Sequence, residues 1–139
     1  MTAPRQCKDC GPGTKRPAPH PGPRCATHHR TVRKTRQAAA HGRRVTAVYS
    51  MTPQQYAALH EAQGGRCAIC QRATGATRRL SVDHDHTCCN GPTSCGRCVR
   101  GLLCRPCNDL LGHIRDDPAT AARVVTYLDQ PPARAVLDA

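Results

Sequence analysis

The sequence predicts a small α+β fold stabilised by zinc, with flanking helices and a zinc knuckle near the N-terminus. Three observations support this prediction. The 139 residues include 3 Tyr, no Trp and no Phe, so the aromatic side chains that usually supply much of a core are scarce. The 11 Cys offer metal ligands instead, and several stand in C-x-x-C pairs. A segment with strand-like alternation and a second short strand candidate precede a helical segment, which completes the α+β pattern.

Zinc is the preferred interpretation of the cysteines, ahead of disulfides. Their number is odd, and the first residues lack the apolar stretch of a secretory signal, so we expect a reducing location in the cytoplasm of a host cell or a bacterium. A secreted disulfide-rich protein conflicts with both observations. No apolar run approaches the roughly 18 residues that cross a bilayer, so no membrane partner is expected.

The positive charge is concentrated in the first part of the chain. The formal net charge is +12, of which residues 1–50 carry +10 and residues 51–139 carry +2. This asymmetry favours a polyanionic partner, most simply nucleic acid, and solubility alone is the alternative explanation.

Residues 1–29 are predicted to form a Cys/His zinc knuckle. Proline and glycine are too frequent here for a regular helix or strand. A C-x-x-C pair and a C-x-x-H pair, joined by a loop, supply the four ligands of a tetrahedral site. A disordered tail with cysteines placed by chance is the alternative. The predicted ligands are Cys7, Cys10, Cys25 and His28, with His29 as a substitute for the histidine.

Residues 30–50 are predicted to be a basic helix or linker, with Gly42 as the end of the helix. This segment either follows DNA phosphates or remains a solvated linker.

Residues 51–139 are predicted to form a separate domain. Its first helix, over residues 52–63, has Thr52 as N-cap, Pro53 in the first turn and Gln55 to complete a capping box.

The rest of this domain is predicted to contain a hairpin and two helices. Residues 77–84 and 99–103 are the strands, and a helix follows over residues 105–114. Asp117 is predicted to cap a last helix, whose apolar stripe consists of Val124, Val125 and Leu128. We expect this stripe to pack on the core of its own chain, which favours a monomer over a homodimer.

Two further zinc sites are predicted in this domain. Two C-x-x-C pairs flank the hairpin, and because four thiolates leave no open coordination position, this site is expected to be structural. Its ligands are Cys67, Cys70, Cys104 and Cys107. The loop TCCNGPTSCGRC has few apolar residues, so a metal would order it. Its predicted ligands are Cys88, Cys89, Cys95 and Cys98.

The run Asp83, His84, Asp85 and His86 needs a different explanation. An aspartate oxygen suits Mg²⁺ better than Zn²⁺, and a neighbouring histidine can accept a proton near neutral pH. Asn108, beside Cys107, offers a neutral oxygen ligand. An acid, a base and an amide on a basic protein indicate single-metal phosphodiester cleavage. The alternative is that both histidines are surface residues or spare zinc ligands.

The order C-x-x-C, LSVDHDH, VRGLLCRPCN and LLGHIRDD resembles the phage recombination endonuclease VII family over about residues 64–117. That family belongs to the HNH, or ββα-metal, nucleases. The resemblance implies that Asp83 and Asn108 hold a catalytic Mg²⁺, or Mn²⁺ in its place. It also implies that His84 is the general base and that His86 contacts the phosphate or shares the base role. The expected products carry 5′-phosphate and 3′-hydroxyl ends.

The sequence therefore predicts a Mg²⁺-dependent HNH DNA endonuclease with up to three structural zincs. Its substrate is duplex or branched DNA, and we expect mainly nicking because little chain follows Asp117 for the longer dimerisation region of branch-resolving relatives. The alternative is a non-catalytic zinc-finger protein that binds nucleic acid. That alternative explains the cysteines and the charge, whereas only a nuclease explains Asp83, His84 and Asn108 in this order.

Overall fold

A computed structural model describes residues 5–14 and 16–137 of the chain. These residues form a small α+β protein, as predicted, with a two-stranded sheet. None of the described helices is both long and apolar enough to span a membrane. In chain order the elements are α1 (Ala26–Tyr49), α2 (Pro53–Ala62), β1 (Ser81–His84), β2 (Val99–Leu103), α3 (Arg105–His113), α4 (Pro118–Asp129) and α5 (Pro132–Leu137).

The chain divides into two compact units, one up to Arg44 and one from Val45 onward. The predicted domain boundaries after residues 29 and 50 stay a prediction. In the first unit, backbone hydrogen bonds shape the knuckle: the Cys7 N–H donates to the Arg16 carbonyl over 3.0 Å, and the Lys8 N–H donates to the Pro23 carbonyl over 3.2 Å. These bonds hold a proline-rich segment without a regular strand.

The expectation that Gly42 ends the basic helix is wrong, because α1 continues to Tyr49. A glycine inside a helix costs about 1 kcal/mol relative to alanine, which tertiary packing readily offsets. Val45 lies one turn further on and is buried in the core of the second unit. Its burial supplies the stabilisation that local propensity lacks.

The core of the second unit is small and includes metal-type ligands. Leu102 and Cys67 are fully buried, and Cys107 belongs to the same cluster. The cysteine side chains therefore act as core residues as well as candidate ligands. The other members of this cluster are Val45, Tyr56, Leu80, Val82 and Leu103.

Helix α2 begins with the capping box that the sequence predicts. The Gln55 N–H donates to Thr52 Oγ1 over 3.1 Å, and the Thr52 N–H donates to Gln55 Oε1 over 2.7 Å. Gln63 follows this helix, and its amide pairs with both backbone groups of Leu102, over 2.8 and 3.0 Å. The end of α2 is thus fixed to β2.

The antiparallel hairpin contains an irregularity next to its polar residues. Asp83 pairs with Gly101, but His84 pairs with Val99, so the register shifts between Asp83 and His84. Arg100 is the extra residue opposite this step. A β-bulge of this kind bends a strand and redirects its side chains. It allows the adjacent Asp83 and His84 both to be buried, at 6% and 5% exposure.

The expectation that the apolar stripe of α4 packs on the core of its own chain is also wrong. Asp117 does cap α4, because its carboxylate accepts hydrogen bonds from the N–H groups of Ala119 and Thr120. However, Val124, Val125 and Leu128 are 42%, 59% and 69% exposed. The buried core consists of residues that precede α4 in the chain, so the stripe is not part of it.

We predict that Tyr56→Phe destabilises the second unit by about 1 kcal/mol, because the Leu80 carbonyl loses a buried hydrogen bond. In the native protein Tyr56 Oη donates to that carbonyl over 2.8 Å. Denaturant unfolding in excess zinc measures the change. Tyr127→Phe is the matched control, since Tyr127 is 61% exposed. Equal losses in the two variants would contradict the prediction.

Candidate metal centres and active site

The central cluster brings together the four cysteines that flank the hairpin. Their sulfur atoms all lie within 4.8 Å of one another, and the Cys70 and Cys104 sulfurs are 3.8 Å apart. Cys67 and Cys107 are buried, so the site is closed on its inner side. Four cysteine sulfurs at this spacing could bind one zinc ion in the closed tetrahedral arrangement of structural sites.

The knuckle cluster is arranged around one histidine. His28 Nδ1 lies 3.3 Å from the Cys7 sulfur, 3.6 Å from the Cys10 sulfur and 3.4 Å from the Cys25 sulfur. The neighbouring His29 instead stacks on His20, with ring centroids 4.4 Å apart. The geometry therefore selects His28 as the fourth candidate ligand of this group.

The loop cluster uses four cysteines between the strands. Their sulfur atoms also lie within 4.8 Å of one another, and the adjacent Cys88 and Cys89 both contribute. Cys88 and Cys95 are exposed, and Cys89 and Cys98 are half-buried. The other two clusters each contain two buried cysteines, so this is the most accessible of the three.

The thiol groups of the central cluster differ in acidity for local reasons. The backbone N–H groups of Ala73 and Arg72 lower the pKa of Cys70 to about 6. Burial, followed by the neighbouring sulfur atoms, raises the pKa of Cys107 to about 12. A divalent cation would offset the repulsion between the thiolates, so zinc binding would release protons and acid would weaken it.

Asp83 lies at the centre of a charged network. Its carboxylate accepts two hydrogen bonds from Arg100, from Nε over 2.7 Å and from Nη2 over 3.0 Å. A buried carboxylate needs such a paired charge, because burial alone would penalise its ionised form. The Asp83 contact holds the pKa of Arg100 above its usual range.

Asp116 extends the network from the far end of α3. It accepts a hydrogen bond from Arg100 Nη2 over 2.9 Å and one from His86 Nδ1 over 3.0 Å. Burial raises the pKa of Asp116, but these bonds outweigh it and hold the pKa below its usual value. Arg115 and Asp116 have φ angles of 54° and 55°, an uncommon conformation for side chains of this size.

Arg100 and Asp116 were missed by the sequence analysis. Arg100 belongs to the strand VRGLL, where it reads as an ordinary exposed position. Asp116 belongs to the pair DD, of which only Asp117 has a recognisable capping role. The bulge that places Arg100 opposite Asp83 leaves no local signature in the sequence.

The hydrogen bond of His84 indicates which of its ring nitrogens carries the hydrogen. Its Nε2 donates to the Gly91 carbonyl over 3.1 Å, because a carbonyl oxygen can only accept. In the neutral ring, Nδ1 therefore carries the lone pair and can accept a proton. The rings of Tyr49 and His86 lie 6.0 and 4.6 Å from the His84 ring, measured between centroids.

The other two predicted polar residues have different surroundings. Asn108 is half-buried in the first turn of α3, directly after Cys107, on a helix that packs against β1. The Asp85 carboxylate accepts hydrogen bonds from the N–H and hydroxyl of Thr87, over 2.8 and 2.7 Å. Asp85 thus shapes the start of the loop, and the hydroxyl and N–H of Thr87 lower its pKa.

These features define a small α+β protein with three candidate metal centres and a buried acid–histidine pair. Comparison with known proteins then gives the family: a recombination endonuclease VII model matches residues 42–130, and the chain belongs to this family. The resemblance in the sequence is thereby confirmed, and the match extends beyond the residues that first indicated it. Family membership makes the chain a recombination nuclease with DNA as its substrate.

Two phage proteins are similar along nearly the whole chain. The Gene 59 protein of Mycobacterium phage D29 is 46% identical over 137 residues, which cover 96% of this chain and 78% of that protein. The Gene 59 protein of Mycobacterium phage L5 is also 46% identical over 137 residues, with 96% and 79% covered. The similarity therefore includes the knuckle as well as the residues of the family match.

We predict that elemental analysis of the purified protein will give about three zincs per chain, one for each cluster. His28→Ala should reduce the value by one, because His28 Nδ1 faces the three knuckle sulfurs. His29→Ala is the matched control and should retain every zinc. A value near one in the unaltered protein would leave zinc in the central cluster alone.

Proposed function

We propose that this protein is a Mg²⁺- or Mn²⁺-dependent HNH endonuclease that hydrolyses phosphodiester bonds of DNA and uses its zinc ions for structure alone. The observation that carries the proposal is the buried pair of Asp83 and His84, side by side across the bulge. Asp83 offers oxygen ligands, and His84 presents a basic nitrogen because its other nitrogen is held by Gly91. These two groups are what single-metal hydrolysis requires.

The catalytic cation would be held by Asp83 and Asn108, whose carboxylate and amide oxygens are the hard ligands that Mg²⁺ prefers. When bound, such an ion stabilises negative charge on the leaving 3′-oxygen. Arg100 already contacts both Asp83 oxygens, so a cation must share this carboxylate with the guanidinium or displace it. Asp116 offers Arg100 a second carboxylate partner in either case.

His84 and His86 have different proposed roles in the reaction. His84 accepts a proton from the attacking water at Nδ1, and its bond to the Gly91 carbonyl fixes the ring in the orientation needed. His86 donates from Nδ1 to Asp116, which orients its ring. A protonated His86 would contact the phosphate through Nε2.

Charge on the second unit supports DNA as the substrate. The residues that line one open cleft include Arg72, Arg78, Arg79 and Arg105, with no carboxylate among them. The cleft adjoins the N-terminus of α3, where the helix dipole adds positive potential. In the first unit, the part of α1 before Val45 adds further arginines and no acid. Phosphate neutralisation by such groups supplies sequence-independent affinity.

A non-catalytic zinc-finger protein would use the same clusters and the same charge. It would give no role to the paired Asp83 and His84 or to the network through Arg100 and Asp116. The nuclease proposal accounts for both sets of residues.

We predict that plasmid nicking requires added Mg²⁺ or Mn²⁺ and that His84→Ala lowers its rate by about 10²–10⁴-fold, the usual contribution of a general base. Asp83→Ala and Asn108→Ala should also abolish nicking through loss of the cation. His113→Ala is the matched control, since His113 is exposed in the last turn of α3. Full activity of His84→Ala would move the base role to His86 or refute the mechanism.

We predict that the protein mainly nicks duplex DNA, with only a modest preference for a four-way junction, because each chain carries one acid–histidine site. Cleavage of a junction and a linear duplex of the same sequence, beside sedimentation of the protein alone, tests this. The exposed stripe on α4 is available to a second chain. Symmetric paired cuts and a dimeric mass, both lost in Leu128→Lys, would establish a two-site resolvase instead.

A further inference from the structure

We propose that the loop cluster controls the position of His84, so that loss of its metal switches the nuclease off without unfolding the protein. Cys88, Cys89, Cys95 and Cys98 would act as positioning residues through the Gly91 carbonyl. This inference rests on the proposed function, in which His84 activates water.

The first step is the direct contact between His84 and the loop. His84 Nε2 donates to the Gly91 carbonyl over 3.1 Å. Gly91 lies between Cys89 and Cys95, which belong to the same four-sulfur group. Its φ of 151° is a conformation that residues with a side chain rarely adopt, so the direction of this carbonyl depends on the glycine and on the segment that holds it.

The second step is the way in which the loop is held. Its ends are fixed by protein groups: the Asp85 N–H donates to the Cys98 carbonyl over 2.9 Å, and the N–H of the buried Ser94 donates to the Val48 carbonyl over 2.8 Å. Ser50 Oγ also donates to the Ser94 carbonyl, over 3.1 Å. The two ends of the loop are therefore joined to each other, and the loop is anchored to the end of α1, without any metal.

The tip of the loop is held differently. Within the described part of the chain, the Gly91 carbonyl is the one group of residues 90–93 that forms a hydrogen bond to another protein group. The cysteines on either side of this tip are tied to each other only through the sulfur group and a 3.4 Å contact from the Cys95 N–H to the Cys89 sulfur. The N–H groups of Cys88 and Cys89 also donate to the Asp85 carbonyl, over 3.3 and 3.1 Å, so protein groups hold the flanks of the tip. A metal bound by the four sulfurs would add the constraint that joins these flanks across the tip and so fixes the carbonyl that orients His84.

The third step is accessibility. No cysteine of the loop cluster is buried, whereas Cys7 and Cys25 in the knuckle and Cys67 and Cys107 in the central cluster are. A chelator in solution would therefore reach the loop metal before the others. Its removal would free the tip while the core and the anchored ends persist.

The consequence is specific to the chemical step. With the Gly91 carbonyl displaced, Nε2 loses its acceptor, and the ring can take the other tautomer or rotate. The arginines of the cleft and of α1, which are proposed to contact DNA, lie outside the loop tip, so binding should persist. We expect kcat to fall by at least about tenfold, and by no more than the 10²–10⁴-fold that a general base contributes, while KM changes little.

Cys95→Ser in the full-length protein tests the inference. We expect the zinc content to fall by one, the circular dichroism and DNA affinity to be retained, and kcat to fall. Nitrogen-15 NMR of the His84 ring should show the Nε2–H form in the unaltered protein and a mixture of tautomers in the variant. Cys95→His supplies another zinc ligand and should restore both the metal and kcat. Thr93→Ala is the control, because Thr93 is exposed in the same loop and is not a ligand.

The outcomes separate this inference from the proposed function. His84→Ala should retain every zinc and lose activity, and full activity there refutes the general-base role itself. Unchanged zinc content, unchanged kcat or an unchanged His84 tautomer in Cys95→Ser overturns the loop inference alone. If Cys95→Ser does not fold, chelator titration of the unaltered protein decides. Activity must then fall with the first zinc released and return when zinc is added back, and retained activity overturns the inference.

Discussion

The central four-cysteine cluster is the constraint on which the second unit depends. Cys67 and Cys107 are members of the hydrophobic core, so the same side chains that could bind zinc also fill the interior of a chain with few aromatic residues. The cluster joins the segment after α2 to the end of β2 and fixes where α3 begins. Because Asn108 directly follows Cys107, this one tie supports the fold and sets the position of a proposed cation ligand.

The buried carboxylate of Asp83 is the second constraint, and it organises the polar face. A buried charge must be paired, and the bulge provides the partner by placing Arg100 opposite the step between Asp83 and His84. Asp116 then holds Arg100 and His86 together from a left-handed turn at the end of α3. Local backbone irregularities in two elements thus converge on one charged network, as is common where structure supports chemistry.

The groups proposed for stability and those proposed for chemistry are separate in this protein. The three clusters consist of cysteines and one histidine with no further position required, so they suit structural metal. The oxygen and imidazole groups of the hairpin are the ones suited to hydrolysis. The loop between the strands connects the two roles, because the Gly91 carbonyl, flanked by loop-cluster cysteines, meets His84. Membership of the endonuclease VII family and the basic surface both agree with DNA as the substrate.

The sequence by itself determined which cysteines and histidine form the three clusters, the capping box of α2, the order of strands and helix, and the family, because each depends on residue types at short, fixed spacings. Only the tertiary structure decided the features that depend on burial and register. Gly42 does not end α1 because Val45 is buried, and the stripe on α4 is exposed because the buried core consists of residues earlier in the chain. Arg100 and Asp116 join Asp83 through a one-residue shift between strands, and such a shift depends on long-range packing that no local spacing encodes.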